Sequence, residues 1–407
     1  MTSVIFRISL LLLIGILSVY GQTDSLGIHK KADTKEAKKW YDSFSIRGYA
    51  QVRYNRLLET NENLGCEQCD KSWGKGGGFF IRRLRVILFG QISPNVYFYI
   101  QPDFASSPSS DKLHFAQIRD AYFDVGLDKK NEYRFRIGQS KVPYGFENMQ
   151  SSQNRIPLDR NDALNSAIAN ERDLGVFFYW APESKRKLLS ALVKDGLKGS
   201  GDYGILGLGV YNGQTANNLE LNDAPHIVAR IAYPFPIKKQ IMDLGLQAYT
   251  GQYVIPKSNL SSGVKYNSDQ NYIDQRVAAT FVLYPQPLGI QAEYNIGKGP
   301  EYNKTTDSIE VQSLKGGYVT LSYLAKYKAQ VFVPFVRYQY YDGGKKFEKD
   351  ARSYEVNDLE IGMEWQANKN FELVLDYTIS RRRYEDFIMQ DNLQTGNLLR
   401  IQAQVNF

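Results

Sequence analysis

The feature that most constrains this chain is an alternation of apolar and polar residues along almost its whole length. In the last segment, "NLLRIQAQVNF", the apolar residues Leu399, Ile401, Ala403, Val405 and Phe407 alternate with polar or charged ones. Side chains repeat every two residues in a β-strand and every 3.6 residues in a helix. The pattern therefore predicts strands that each have one apolar and one polar face.

Sixteen such segments follow one another along the chain. They are predicted at 44–55, 79–92, 96–104, 115–127, 132–141, 173–180, 203–212, 226–235, 241–253, 272–284, 288–297, 317–327, 330–341, 355–366, 371–382 and 397–407. Short turns such as "SPN" alternate with long polar loops such as "NGQTANNLELNDA". Turns at one end and loops at the other are typical of outer-membrane barrels. The predicted fold is an all-β, transmembrane antiparallel β-barrel of about 16 strands.

The apolar stretch "LLSALV" at 188–193 is the one ambiguous segment. As a strand it would reverse the order of turns and loops from there onward. As a helix it is opened by Pro182 and ended by Gly196, and its apolar side chains form one stripe. We therefore predict a short periplasmic helix at 182–196, which places both chain termini on the periplasmic side.

The N-terminus has the features of a secretory signal peptide. Arg7 precedes an apolar run at 8–16, and cleavage is expected between Gly21 and Gln22. The alternative, a membrane anchor, fits less well because this run is short for a spanning helix. The predicted organisation is a signal peptide at 1–21, a periplasmic N-terminal linker at 22–42 and an outer-membrane barrel at 43–407.

The composition agrees with an exported barrel. The chain has 50 Lys and Arg against 43 Asp and Glu, a net charge of +7, which suits anionic solutes or lipid headgroups. Nucleic acid is not an expected partner of an exported protein. The 29 Tyr and 21 Phe accompany a mean hydropathy of −0.41, as expected when half of each strand faces lipid and half faces water. A soluble β-sandwich or propeller would also alternate, but no blade-length repeat is present.

The two cysteines, Cys66 and Cys69, form "CEQC" in a polar loop. Outside the cytoplasm the first interpretation is a small loop disulfide. Metal binding, the second, would need two more ligands, and the three histidines show no suitable spacing. Redox catalysis would need a thioredoxin-like βαβ pattern, which the surroundings lack. We predict neither a metal nor a cofactor.

Arginines are the candidate functional residues of the strands. With the apolar faces turned outward they point into the lumen, and a charge facing lipid near midplane would cost ~2–4 kcal/mol. Arginine stays charged at any pH and offers a planar fork of donors to oxyanions. The alternative is that each braces the wall by pairing with a lumen acid such as Asp120, Asp124 or Asp376. The predicted pore-lining, anion-binding residues are Arg47, Arg53, Arg83, Arg85, Arg134, Arg136, Arg230, Arg276, Arg337 and Arg400.

Four stretches carry a resemblance to a known family: "GGGFFIRRLRVILFGQISPNVYFYIQPDFA" (76–105), "QIRDAYFDVGL" (117–127), "IGQSKVPYGFE" (137–147) and "RDLGVFFYW" (172–180). They resemble the phosphate-selective porin O and P family of Gram-negative outer membranes, from about Gly48 to Phe407. The resemblance implies a sixteen-stranded trimeric barrel whose long third external loop folds into the pore. It also implies phosphate transfer along an arginine ladder toward lysines at the constriction.

By this resemblance the constriction loop runs from about Lys141 to Arg172 and contains a helix, "LDRNDALNSAIAN", with Asp159 as its expected N-cap. A strong phosphate filter would need a clear positive excess, and this loop is nearly balanced. We therefore do not predict strict phosphate selectivity from the loop. Its basic residues are Lys141, Arg155, Arg160 and Arg172, and its acidic residues are Glu147, Asp159, Asp162 and Glu171.

The predicted function is a passive outer-membrane channel that favours small anions, with phosphate among the candidates. A general or sugar-passing porin is an alternative, for which lumen tyrosines such as Tyr49 and Tyr122 would serve. A structural barrel without an open pore is another. An enzyme would need a Ser/His or Asp/His group on a rim, and the scattered histidines offer none. The expected partners are small anions, outer-membrane lipid and, by the resemblance, two further copies of the chain.

Overall fold

The computed structural model describes residues 40–69, 73, 78–105 and 114–407. The predicted signal peptide and the part of the linker at 22–39 lie outside the described residues. None of the described helices combines the length and the apolar character needed to cross a membrane.

Strands make up most of the described chain, and three α-helices accompany them. The strands are β1 (Phe44–Leu57), β2 (Phe79–Ser93), β3 (Val96–Asp103), β4 (Gln117–Gly126), β5 (Tyr133–Lys141), β6 (Arg172–Trp180), β7 (Leu206–Tyr211), β8 (His226–Ile237), β9 (Gln240–Val254), β10 (Asn271–Leu283), β11 (Leu288–Asn303), β12 (Ser308–Tyr323), β13 (Ala325–Tyr327), β14 (Gln330–Gly344), β15 (Ser353–Asn368), β16 (Phe371–Glu385) and β17 (Leu393–Asn406). The helices are α1 (Phe146–Met149), α2 (Asp162–Ala167) and α3 (Glu183–Lys194).

Neighbouring strands pair antiparallel around a closed ring. β1 pairs with β2 on one side and with β17 on the other, so that Ala50 lies opposite both Leu84 and Val405. The three-residue β13 extends β12 along β14, and the two share one position in the wall. The structure therefore confirms the predicted sixteen-stranded antiparallel barrel. The segment predicted as helix rather than strand at 182–196 forms α3.

The two faces of the wall differ as the period of two requires. On β8, Ile227 and Ile231 are about half exposed on the outside, whereas Val228 and Arg230 between them are buried. The outer face is apolar along the other strands as well, with Leu321 and Val336 among its exposed residues. Charged residues of the strands therefore collect on the inner face.

The segment 142–171 between β5 and β6, here called loop 3, folds into the lumen. The Tyr144 hydroxyl donates to Asn295 on β11 at 2.6 Å, and the Asp162 amide donates to Gln339 on β14 at 3.0 Å. On the remaining side, Arg53 of β1 donates to the Leu158 carbonyl at 2.6 Å. These strands surround the loop, which confirms the predicted folded-in position.

The helix of loop 3 begins later than the sequence predicts. Asn161 caps α2, because its side chain accepts a hydrogen bond from the Leu164 amide at 3.2 Å. Asp159, the predicted cap, is instead bound by Arg400 and by Arg53. The Asp159 carboxylate, which the local sequence predicts as the helix cap, thus forms ion pairs with distant strands instead.

Candidate pore constriction

One side of the lumen holds loop 3 in place with arginines. Arg276 of β10 donates to the Ala163 carbonyl at 3.1 Å and to the hydroxyl and carbonyl of Ser166 at 2.6 and 3.0 Å. Arg337 of β14 bonds Glu147 of loop 3 at 3.0 Å. Both guanidinium groups are fully buried by these contacts.

Arg400 of β17 has a similar position. It pairs with Asp159 of loop 3 and, at 3.3 Å, with Asp376 of its own wall. Arg382, which the sequence reading left out, pairs with Asp162 of loop 3 at 2.9 Å. The sequence predicts Arg276, Arg337 and Arg400 as pore-lining residues. Loop 3 covers this wall, so these three arginines bind the loop and do not border the narrow cavity on the opposite side of the lumen.

The opposite side leaves a narrow cavity of ≈ 50 Å³ between loop 3, loop 1 (here its described residues 58–69, 73 and 78) and strands β2 to β4. A vestibule of ≈ 720 Å³ lies toward the long loops and another of ≈ 540 Å³ toward the short turns. Gln68, Arg160, Asn165 and Asn170 border both the narrow cavity and the loop-end vestibule. We call the narrow cavity the constriction. Its charged lining residues are Arg82, Arg83, Arg85, Arg119, Arg155, Arg160, Asp103, Asp159 and Glu171.

The four basic residues predicted for the constriction loop converge on one carboxylate. Glu171 lies 2.6 Å from Arg172, 2.9 Å from Arg155, 3.3 Å from Lys141 and 3.4 Å from Arg160. Burial alone would raise the pKa of Glu171, but these cations outweigh burial and hold its pKa well below the ordinary value. The four cations thus share one ionised partner.

Two arginines of the constriction have no carboxylate partner among the described residues. Arg83 donates to the Gln51 side chain at 2.8 Å, and Arg119 donates to the side chain and carbonyl of Asn170 at 3.2 and 3.3 Å. By contrast, Arg85 pairs with Asp103 at 2.7 Å. The described lining therefore has an excess of positive charge, to which Arg83 and Arg119 contribute directly.

Arg82 and Arg119 lie in the constriction although strict alternation would turn them toward lipid. In β2 the register passes from Gln51↔Arg83 to Val52↔Ile81, so Arg82 is an extra residue. The register between β3 and β4 skips Arg119 in the same way. Such bulges re-aim side chains. The sequence signal was the adjacent charges "RR" and "RD" inside strands, one of which alternation would place in lipid.

Three of the other predicted arginines, Arg47, Arg134 and Arg136, lie toward the turn end. Arg47 is exposed and stands 5.2 Å from the ring of Phe89. Arg136 forms a bidentate pair with Asp124 at 2.7 and 2.9 Å. These two border the turn-end vestibule, as do Arg134, Lys141 and Arg172.

Arg230 and Arg53 are placed differently from the rest. Arg230 is buried and donates to the Gly204 carbonyl at 2.8 Å, so it supports the segment that follows α3. Arg53 is buried beneath loop 3 through its bonds to Leu158 and Asp159. Neither borders the constriction or the turn-end vestibule.

A closed antiparallel barrel with one loop folded inside it, and a vestibule on each side of a narrow point, defines a porin-type channel. The chain belongs to the family described as "Phosphate-selective porin O and P", whose family model matches residues 65–407. It is therefore an outer-membrane channel in class, and the family and fold indicate a channel rather than an enzyme. No curated protein matches the sequence.

Solved structures share the fold at low sequence identity. The outer membrane channel DcaP of Acinetobacter baumannii is 14% identical, with a TM-score of 0.55 over 89% of this chain and 97% of that one. The anion-selective porin from Comamonas acidovorans is 12% identical, with a TM-score of 0.50 over 90% and 99%. The trimer form of OmpT of Vibrio cholerae is 10% identical, with a TM-score of 0.50 over 90% and 100%.

Proposed function

We propose that the chain is a passive outer-membrane diffusion channel that favours small anions, phosphate among them. The observation that carries the proposal is the charge of the constriction, whose described lining contains six arginines and three carboxylates. In a narrow passage with low-dielectric walls, an excess of one sign concentrates ions of the opposite sign. The anion-selective porin from Comamonas acidovorans supports the proposal as a channel of similar fold.

The reversal potential of single channels in a potassium chloride gradient tests this function. An anion-selective channel gives a reversal potential close to that of chloride. A value close to that of potassium would contradict the proposal. Absence of any channel opening would instead favour a structural barrel.

A sugar-passing porin is the second candidate, because tyrosines line the turn-end vestibule. They are Tyr97, Tyr99, Tyr122 and Tyr203. Aromatic rings offer contact surface to sugar faces, and hydroxyl groups offer hydrogen bonds. Swelling of liposomes in neutral sugars of increasing size measures this activity. Fast swelling in a disaccharide together with no ion preference would favour it over the anion channel.

We further propose a homotrimer embedded in outer-membrane lipid. A barrel strand needs about 9–11 residues to span the hydrocarbon. β3 and β7 have only 8 and 6 residues, whereas β9 to β12 have 13 to 16. We call the side of the barrel that contains these short strands the low wall. Contact with neighbouring copies would shield the low wall from lipid. The solved OmpT structure is itself described as a trimer form. The mass of the detergent-solubilised protein tests the stoichiometry.

The export of the chain is also a proposal. Residues 1–21 would be removed, 22–42 would form the periplasmic linker, and 43–407 the barrel, with the chain termini and α3 on the periplasmic side. N-terminal sequencing of protein purified from outer membranes should begin at Gln22. Retention of Met1 would contradict cleavage.

A further inference from the structure

The "CEQC" motif lies at the constriction. Cys66 and Cys69 are joined in a disulfide that closes a tight turn of loop 1, in which the Cys69 amide also donates to the Cys66 carbonyl at 3.2 Å. Both cysteines are buried against Leu64, Trp73 and Leu398. The turn is therefore a packed part of the lumen.

The turn is fastened to the charged wall from several directions. Arg82 of β2 donates to the Cys69 carbonyl at 3.3 Å. The Arg382 guanidinium lies 4.5 Å from the ring of Trp73. Glu67 pairs with Arg352 of the loop between β14 and β15 at 3.2 Å. These contacts hold the turn in place, and with it Gln68, which lies between the two cysteines.

Gln68 borders both the constriction and the loop-end vestibule. Its amide nitrogen and amide oxygen are both buried, and neither has a hydrogen-bond partner among the described residues. A buried polar atom without a partner destabilises the fold, because it has lost its hydrogen bonds to water and gained none in return. An amide without a hydrogen-bond partner beside the constriction is suited to bind a solute that passes through the channel.

The described carboxylates that line the constriction are all bound by cations. Asp103 is bound by Arg85, Asp159 by Arg53 and Arg400, and Glu171 by the four cations described above. The Gln68 amide oxygen is by contrast a neutral acceptor that has no partner among the described residues, and it lies next to arginines that can only donate. An oxyanion that uses both kinds of group must carry acceptor oxygens and also a proton to donate.

We propose that Gln68 is a selectivity residue of the constriction, held in place by the Cys66–Cys69 disulfide. It favours oxyanions that carry a hydroxyl proton, such as hydrogen phosphate, over fully ionised oxyanions, such as sulfate. Hydrogen phosphate and sulfate are both tetrahedral dianions, and they differ in that proton. Gln68 donates to an oxyanion oxygen while its carbonyl accepts the hydroxyl proton. The inference rests on the proposed anion channel and deepens it.

The test compares block of the chloride current by phosphate and by sulfate, in planar bilayers at about pH 8, where phosphate is mainly the dianion. One net hydrogen bond, about 1 kcal/mol, corresponds to roughly a fivefold lower half-blocking concentration for phosphate. In Gln68→Leu, which can neither donate nor accept, the two half-blocking concentrations should become equal. The Cys66→Ser/Cys69→Ser variant should show the same loss, because the turn is no longer closed.

Glu62→Gln is the matched control, since Glu62 is exposed in the same loop and does not border the constriction. It should keep the wild-type ratio. An equal ratio in wild type and Gln68→Leu would overturn the inference, even if the double cysteine variant failed to fold. A cation-selective wild-type reversal potential would instead refute the anion channel on which the inference rests.

Discussion

At the scale of the residue, Glu171 organises the charge of the constriction. A single buried carboxylate serves four cations, three of them on loop 3 or at its end and one at the end of β5. Its loss would leave these cations to repel one another at short range in a medium where water cannot fully screen them. The arrangement therefore joins the stability of loop 3 to the positive character of the pore.

The lowered pKa of Glu171 predicts how the channel properties that depend on this carboxylate respond to pH. A carboxyl group with a lowered folded-state pKa contributes stability above its unfolded-state pKa and loses it only as the pH falls through the folded-state pKa. Burial opposes the cations around Glu171 but does not outweigh them, so its pKa lies well below 4.5. The differences in anion preference and current noise between the wild type and Glu171→Gln should therefore be the same at pH 7 and at about pH 4.

The variant Glu171→Gln shows what protonation would produce. Without its charge, the loop-3 cations should repel one another, which raises current noise and strengthens anion preference already at pH 7. A wild-type channel that comes to behave like Glu171→Gln with a midpoint near pH 4.5 would mean that Glu171 titrates as an ordinary carboxyl group.

At the scale of the element, loop 3 is held by bonds to strands far away in sequence. Arg276 alone makes three hydrogen bonds to α2. The change Arg276→Gln should weaken docking by roughly 1.5–3 kcal/mol, the usual net value of a hydrogen bond to a charged group. We expect larger and noisier single-channel currents as a result.

Arg383→Gln is the control for this prediction. Arg383 is partly exposed and pairs with Glu355 and Glu385 away from loop 3. Its currents should match the wild type. Equal noise in both variants would show that loop 3 does not depend on Arg276 for its position.

The strands and the inner faces were predictable from sequence, because a period of two fixes which side chains share a face. The bulges that bring Arg82 and Arg119 inward do not follow from the pattern of a single strand, because a bulge depends on the register between two paired strands. The sequence pattern likewise does not predict the wall against which loop 3 packs. Contacts such as Arg400 with Asp159 join residues about 240 positions apart, and no local pattern encodes them.

At the scale of the whole molecule, the short strands of the low wall lead us to predict where copies of the chain contact one another. Val210 lies on the outer face of β7, a strand too short to span the hydrocarbon by itself. The change Val210→Arg should place a charge in the proposed contact between copies and convert trimers to monomers. Light scattering of the detergent-solubilised protein measures this.

Leu321→Arg serves as the comparison, because Leu321 is on the outer face of the long strand β12. There the charge costs ~2–4 kcal/mol against lipid and does not touch the proposed contact. Its trimers should persist. Trimers of Val210→Arg as stable as those of the wild type would place the contact on another wall.

In the proposed function, the arginine excess of the constriction makes this barrel an anion channel. The most direct measurement is the reversal potential of the wild type and of Arg83→Gln/Arg119→Gln in the same potassium chloride gradient. Two unit charges ~7 Å apart interact by about 0.6 kcal/mol in water, which is roughly a 2.7-fold change for the anion and the opposite change for the cation. Each lost charge should therefore lower the anion-to-cation permeability ratio roughly sevenfold. We expect an anion-selective wild type and a variant whose reversal potential is shifted toward zero. A cation-selective wild type, or a variant identical to the wild type, would refute the role of these arginines.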